Sequence, residues 1–242
     1  DISQEAESAL MSVKSGDKVS AIKKYSKIIK IEKNNPIYYF NLACLLSKDN
    51  KSESIGLLEK ALELNPNMVD AQFKIGSLFF EIGKYIESIN YYRKLIKIMP
   101  NHPLVNFNIG IAYQHVGDNN NAIISFNDSL IVNPTIHMAL FYLANSYVAN
   151  DEECKGIDCY KKLLSFIPNH ISTYVNLIII YLKIGEMKNA ENTYNKLIKI
   201  KIDRKNEFKK LGLVFYKSSN IEYAINAFKR SLLFDPKDFE NY

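Results

Sequence analysis

The sequence predicts an all-α solenoid, a row of antiparallel helix pairs stacked on one another. Three observations predict it. Pro66, Pro100, Pro134 and Pro168 stand 34 residues apart, and two further steps of 34 reach Ile202 and Pro236. A period of about 20–50 residues marks a stacked-repeat architecture. Within each period, apolar residues recur three or four apart, which is the spacing of one helical face. The composition, 47% hydrophobic and 24% charged, is that of a folded chain rather than a disordered one.

Each element follows from rows of 34 begun at Val69, Pro103, His137, Ile171 and Lys205. The seventh column reads Ile75, Ile109, Leu143, Leu177, Leu211, and the eleventh reads Phe79, Tyr113, Tyr147, Tyr181, Phe215. These mark the buried face of a first helix. The eighth column, Gly76, Gly110, Ala144, Ile178, Gly212, is mostly small and lets a second helix approach. Gly83, Gly117 and Gly185 share the fifteenth column, where a helix ends and turns. The second helix carries small residues in the twentieth column (Ser88, Ala122, Gly156, Ala190, Ala224) and aromatic ones in the twenty-fourth (Tyr92, Phe126, Tyr160, Tyr194, Phe228). Proline in the thirty-second column stops it. The row from Pro36 to Met68 fits with one residue fewer in its turn, and the first row fits more loosely, with Lys33 in the proline slot. Gln72 and Asn106 depart from the pattern in a slot otherwise large and apolar. Ile178 stands where a small residue is expected and predicts slightly spread helices. Ile202 lacks the stop.

These columns resemble the tetratricopeptide repeat family, whose pattern is large, Leu, Gly or Ala, aromatic, Ala, aromatic, then Pro. The resemblance covers nearly the whole chain and implies a right-handed superhelix. It divides residues 1–242, as a single array, into repeats at 2–35, 36–68, 69–102, 103–136, 137–170, 171–204 and 205–238, with 239–242 opening a further repeat. Solenoids need polar caps at their ends. Ala224, Ala227, Phe228 and Leu232 are expected to leave apolar surface uncovered. The expectation is a piece of a longer protein, or self-association through uncapped terminal repeats.

The family resemblance also places the first helices on the inside of the superhelix, so their non-core columns line a concave groove. The fifth column reads Phe40, Phe73, Phe107, Phe141, Val175, Lys209. The sixth reads Asn41, Lys74, Asn108, Tyr142, Asn176, Lys210. An Asn amide both donates and accepts, as a peptide backbone requires. Asn41, Asn108 and Asn176 thus form a broken ladder beside an apolar Phe strip. Heat-shock chaperone tails are held in related domains by a two-carboxylate clamp. Asn145, Asn176 and Lys210 match three of its five slots, while Phe141 and Asn206 replace the other two and remove cations the clamp needs. Lys183, Lys209, Lys210 and Lys217, with Lys201, Arg204 and Lys205 in the adjoining turn, imply a preference for acidic segments.

No phosphate-cradling glycine loop, HExxH or GxSxG is present. Of His102, His115, His137 and His170, the first, third and fourth lie at repeat boundaries in different turns; the four lack metal-ligand spacing and read as surface histidines. Cys44, Cys154 and Cys159 are odd in number without a CxxC, and read as buried thiols of a reducing, cytoplasmic compartment. The net charge of +5 is too mild to imply nucleic acid, and no apolar run is long enough to insert in a membrane. The reading is therefore a non-catalytic scaffold without cofactor or metal. It binds a protein partner, an extended peptide or helix of acidic character, in the concave groove. The rivals are a structural subunit of a ubiquitin-ligase, ciliary or transport assembly, and the substrate-recognition arm of a larger enzyme such as an O-linked N-acetylglucosamine transferase.

Overall fold

The computed structural model describes residues 2–102, 104–200 and 205–234. Among them are fourteen α-helices and no strand. Residues 1–134 and 135–242 form two compact units. The first unit holds α1 (Ile2–Lys14), α2 (Lys18–Ile31), α3 (Pro36–Leu46), α4 (Lys51–Leu64), α5 (Val69–Glu81), α6 (Tyr85–Ile98), α7 (Val105–His115) and α8 (Asn119–Val132). The second holds α9 (Met138–Ala149), α10 (Glu153–Phe166), α11 (Ile171–Lys183), α12 (Met187–Leu197), α13 (Lys205–Lys217) and α14 (Ile221–Phe234). In the first unit each helix packs on the next, and α5 also touches α7. In the second, the pairs α9–α10, α11–α12 and α13–α14 pack within themselves, α10 packs on α11, and α11 on α13. Each unit is thus a helix-pair solenoid, the all-α architecture that the period predicts.

The turns obey the sequence pattern and extend it. Gly83, Gly117 and Gly185 take φ of 78°, 78° and 79°. Asp151 and Ser219 occupy the same column without glycine and still adopt the left-handed region, at 56° and 60°. The stacking geometry therefore demands this conformation even where the residue resists it. Second helices end at Leu64, Ile98, Val132 and Phe166, two residues before each proline. Asp17, Asn35, Asn50 and Asp118 cap helix starts, each accepting a backbone N–H at 3.0–3.1 Å.

The small columns set how closely paired helices approach. A Cβ on Gly76 would stand 2.8 Å from the Tyr92 ring, and one on Gly110 2.7 Å from the Phe126 ring. In the α9–α10 pair the first helix carries Ala144, and a Cβ on Gly156 of the second helix, in the twentieth column, would stand 2.6 Å from Val148 Cγ2. Ser54 and Ser88 donate their hydroxyls to the carbonyls of Ala43 and Gly76, at 2.7 and 2.8 Å. A buried hydroxyl is thereby satisfied at the contact.

The departure at Gln72 has a physical reason. Tyr39 and Tyr174, in the same column, donate to the carbonyls of Lys33 and Pro168 six residues back, at 3.1 and 3.0 Å. Gln72 Nε2 does the same to Pro66, at 2.6 Å. The slot fastens the turn between pairs, and a long polar side chain serves as well as tyrosine. Asn106 is buried in the equivalent place. Ile178 is fully buried, in the same apolar cluster as Ala190.

Three expectations need correction. Cys44 and Cys154 are exposed and only Cys159 is half-buried, because the first two fall off the packed helical face. Desolvation pushes the Cys159 thiol up to about 11. Three histidines are half-buried against aromatic rings rather than free on the surface: His102 on Phe73 (4.8 Å), His137 on Phe166 (4.1 Å) and His170 on Phe141 (5.1 Å). In α14, Ala224 and Ala227 are buried against α13 and Phe228 and Leu232 are half-buried. The exposed apolar residues of that pair are Leu213, Tyr216, Ile221, Ile225 and Leu233. Ile202, Lys201, Arg204, Pro236 and residues 239–242 lie outside the described residues, as does the side chain of Lys205.

Burial pushes the phenols of Tyr160 and Tyr194 up to about 12. The unfolded chain ionises them at about 10. A raised folded-state value favours the neutral form, so their contribution is complete below pH 10 and lost as pH rises towards 12. We expect stability to fall above pH 10 by about 1.4 kcal/mol per pH unit for each phenol. Urea titrations at pH 9, 10 and 11 check this, and a midpoint unchanged across that range would contradict it.

Candidate protein-interaction surface

The sequence-predicted residues sit on the first helices. Phe40 and Asn41 are on α3, Phe73 and Lys74 on α5, and Phe107 and Asn108 on α7, all in the first unit. Phe141, Tyr142 and Asn145 are on α9, Asn176 on α11, and Lys209 and Lys210 on α13, all in the second. All are half-buried except Lys210, which is exposed. Val175, which continues the Phe column, is buried at 3% exposure.

The Phe column packs inward as well as outward. Phe73 lies 5.9 Å from Tyr92, Phe107 6.1 Å from Phe126, and Phe141 5.9 Å from Tyr160. In each case a fifth-column ring leans on the twenty-fourth-column ring of its own pair. Each phenyl is therefore partly core.

The Asn column is engaged across pairs. Asn41 Nδ2 donates to the Tyr25 hydroxyl (3.2 Å), Asn108 Nδ2 to that of Tyr92 (3.4 Å), and Asn176 Nδ2 to that of Tyr160 (2.9 Å). Tyrosine belongs to the second helix of one pair and asparagine to the first helix of the next, 16 residues on. Asn176 also donates to Asn145 Oδ1 at 3.2 Å, which accepts from the Tyr160 hydroxyl as well. Ser77 Oγ completes the Tyr92 cluster at 3.0 Å. Two of the three residues matching the chaperone clamp thus bond to each other. Where the preceding aromatic column holds Leu58 or Phe126, which lack a hydroxyl, the sixth column holds Lys74 or Tyr142. Tyr194 precedes Lys210 and instead donates to Asn226 at 2.9 Å.

In the first unit these residues border a cavity of about 200 Å³ lined by Ser77, Phe80, Glu81, Tyr92, Asn108 and Ile111. Its floor is the polar Tyr92–Asn108 contact and its walls are apolar side chains of α5 and α7. Glu81 on the rim is paired with Lys51 at 3.0 Å. Of the predicted residues it takes in Asn108. It adds Ser77, Phe80 and Ile111, which column reading passed over. Ser77 and Ile111 fall in the ninth column with Asn145, and that column's variability was the available signal. Among the described residues no three His, Cys, Asp or Glu side chains are grouped to hold a metal, and no helix is long and apolar enough to cross a membrane.

Comparison with known proteins fits this geometry. Residues 76–117 match a family model described as TPR repeat, and residues 171–201 one described as tetratricopeptide repeat. A search of curated proteins finds no match. Among solved structures, a tetratricopeptide repeat protein from Parabacteroides merdae is 20% identical with a TM-score of 0.71, covering 99% of this chain and 95% of its own. The MamA protein is 19% identical with a TM-score of 0.65, covering 68% and 90%. MamA 41-end from Desulfovibrio magneticus RS-1 is 15% identical with a TM-score of 0.65, covering 70% and 96%. At such identities the likeness speaks for the fold. The class defined by helix-pair repeats with this surface is a protein-interaction scaffold. Residues 76–117 and 171–201 are tetratricopeptide repeats by this match, set in a fold of the same kind.

Proposed function

We propose that the chain is a non-catalytic scaffold whose first helices hold an extended segment of a partner protein. The observation that carries this is the cavity between α5 and α7, where a donor–acceptor floor lies between apolar walls. A peptide group bonding at Asn108 would seat a neighbouring side chain against Phe80 and Ile111. Lys74 in the first unit and Tyr142 in the second, which replace asparagine in the same column, give the first helices of each unit a chemistry of their own and would confer partner selectivity. Engagement of Asn41, Asn108 and Asn176 by tyrosine leaves each amide part of its hydrogen-bonding capacity. Their role is to fix the face as well as to read a ligand.

The test is site-specific photocrosslinking. A benzophenone side chain at position 111 or 74, on first helices, is expected to capture the partner. The same group at position 124 or 131, exposed on α8, is expected to capture none. Capture only from α8 would overturn the reading. Asn108→Ala is a poorer probe, because losing its bond to Tyr92 costs about 1 kcal/mol of stacking stability and mixes two effects.

A further inference from the structure

Successive first helices touch directly, as α5 on α7 and α11 on α13. Second helices leave furrows between them, floored by the intervening first helix. Three such furrows recur, of about 680, 370 and 480 Å³. Their shape is a product of the repeat, and what differs is the chemistry of their walls. The α4–α6 furrow opposes Glu59 and Glu63 to Lys94 and Lys97. The α6–α8 furrow opposes Arg93 to Asp128. The α10–α12 furrow has Lys161 on one wall and Lys196 on the other, and no carboxylate among its lining residues.

The wider charge follows the same order. Residues 51–98, spanning the first furrow, carry seven basic residues against six acidic ones. Residues 85–132 carry three against three. Residues 153–200 carry seven lysines against four carboxylates. Of those seven, Lys155 and Lys183 are held by Glu152 and by Asp151 and Glu153. Lys161 and Lys196 have no ion pair among the described residues, and Lys161 Nζ instead lies 6.0 Å from the centre of the Tyr181 ring. Asn192 adds an exposed amide donor to the lining. The floor on α11 is apolar, made by Leu177 and the Tyr174 and Tyr181 rings, and Leu164 of the α10 wall adjoins it.

We propose that this furrow binds an acidic segment of a partner protein, in which carboxylates flank an apolar or aromatic residue. Lys161 and Lys196 take the carboxylates from opposite walls, and the floor takes the apolar side chain. A bare anion would leave that floor uncovered, and the cavity is several times larger than a phosphate. Its lysines stand on second helices and its floor is on α11, and none of its lining residues belongs to the set proposed for the first-helix face, so it stands or falls independently of that face.

Fluorescence anisotropy with a labelled Asp-Asp-Phe-Asp-Asp peptide tests the proposal on the whole chain. Binding that weakens steeply with salt is expected. Lys161→Glu with Lys196→Glu should weaken it at least tenfold, and Lys161→Gln with Lys196→Gln less so, with circular dichroism unchanged. Lys94→Glu with Lys97→Glu, in the mixed-charge furrow, should leave it within twofold. The proposal is overturned by any of four results: no binding at millimolar peptide, equal binding by the Lys161→Glu/Lys196→Glu variant, equal binding of a peptide with Ser in place of Phe, or tighter binding of an oligothymidylate of the same charge.

Discussion

Replacing Phe126 with alanine is expected to destabilise the α7–α8 pair by about 3–5 kcal/mol. The ring is fully buried. It lies against Phe107 and directly over the backbone of Gly110. Its loss removes the apolar transfer term and opens a cavity that neighbouring helices cannot fill without leaving their register. The effect is large because the aromatic column is the centre of each pair: Tyr25, Tyr92, Tyr160 and Tyr194 are buried to the same degree in theirs. Stability in a repeat array is summed over neighbours. Hydrogen exchange of the α7 and α8 amides is therefore the readout. Protection there should fall by two or more orders of magnitude, while α1 and α2 change far less. Equal loss along the whole first unit would show that it unfolds as one block.

Gly110→Val is expected to cost about 1–3 kcal/mol, by overpacking rather than by a cavity. A Cβ alone would stand 2.7 Å from the Phe126 ring, and valine adds two carbons beyond it. The two sites should couple. In a Phe126→Ala background the same valine enters the vacated space and its cost should largely disappear, a coupling of about 1–3 kcal/mol in a double-mutant cycle. Additive costs would mean that the helices part freely here and that the small column does not set their spacing.

Much of the fold was legible because its determinants are local and repeated. The helix faces, the left-handed turn column and the proline stops each recur every 34 residues, so one row checks another. The site was less legible. Phe73, Phe107 and Phe141 read as an open strip, yet each leans on a buried ring of its own pair. Asn41, Asn108 and Asn176 read as ligand groups, yet each bonds to a tyrosine 16 residues earlier. That pairing is visible in the sequence afterwards, since all three of these asparagines follow a tyrosine at this distance. Columns taken one at a time hide it, because the partners belong to different rows.

The sequence by itself determined which residues form helices, where each pair turns and which faces are buried, since helical periodicity and chain stiffness act over a few residues. Only the tertiary structure decided which polar groups remain for a partner. Hydrogen-bond capacity is settled by what lies within about 3 Å, and those neighbours are brought together by stacking, not by the chain. The same holds for the furrows: their lysines are plain in the sequence, but the absence of a carboxylate between Lys161 and Lys196 exists only once α10 and α12 stand side by side over α11.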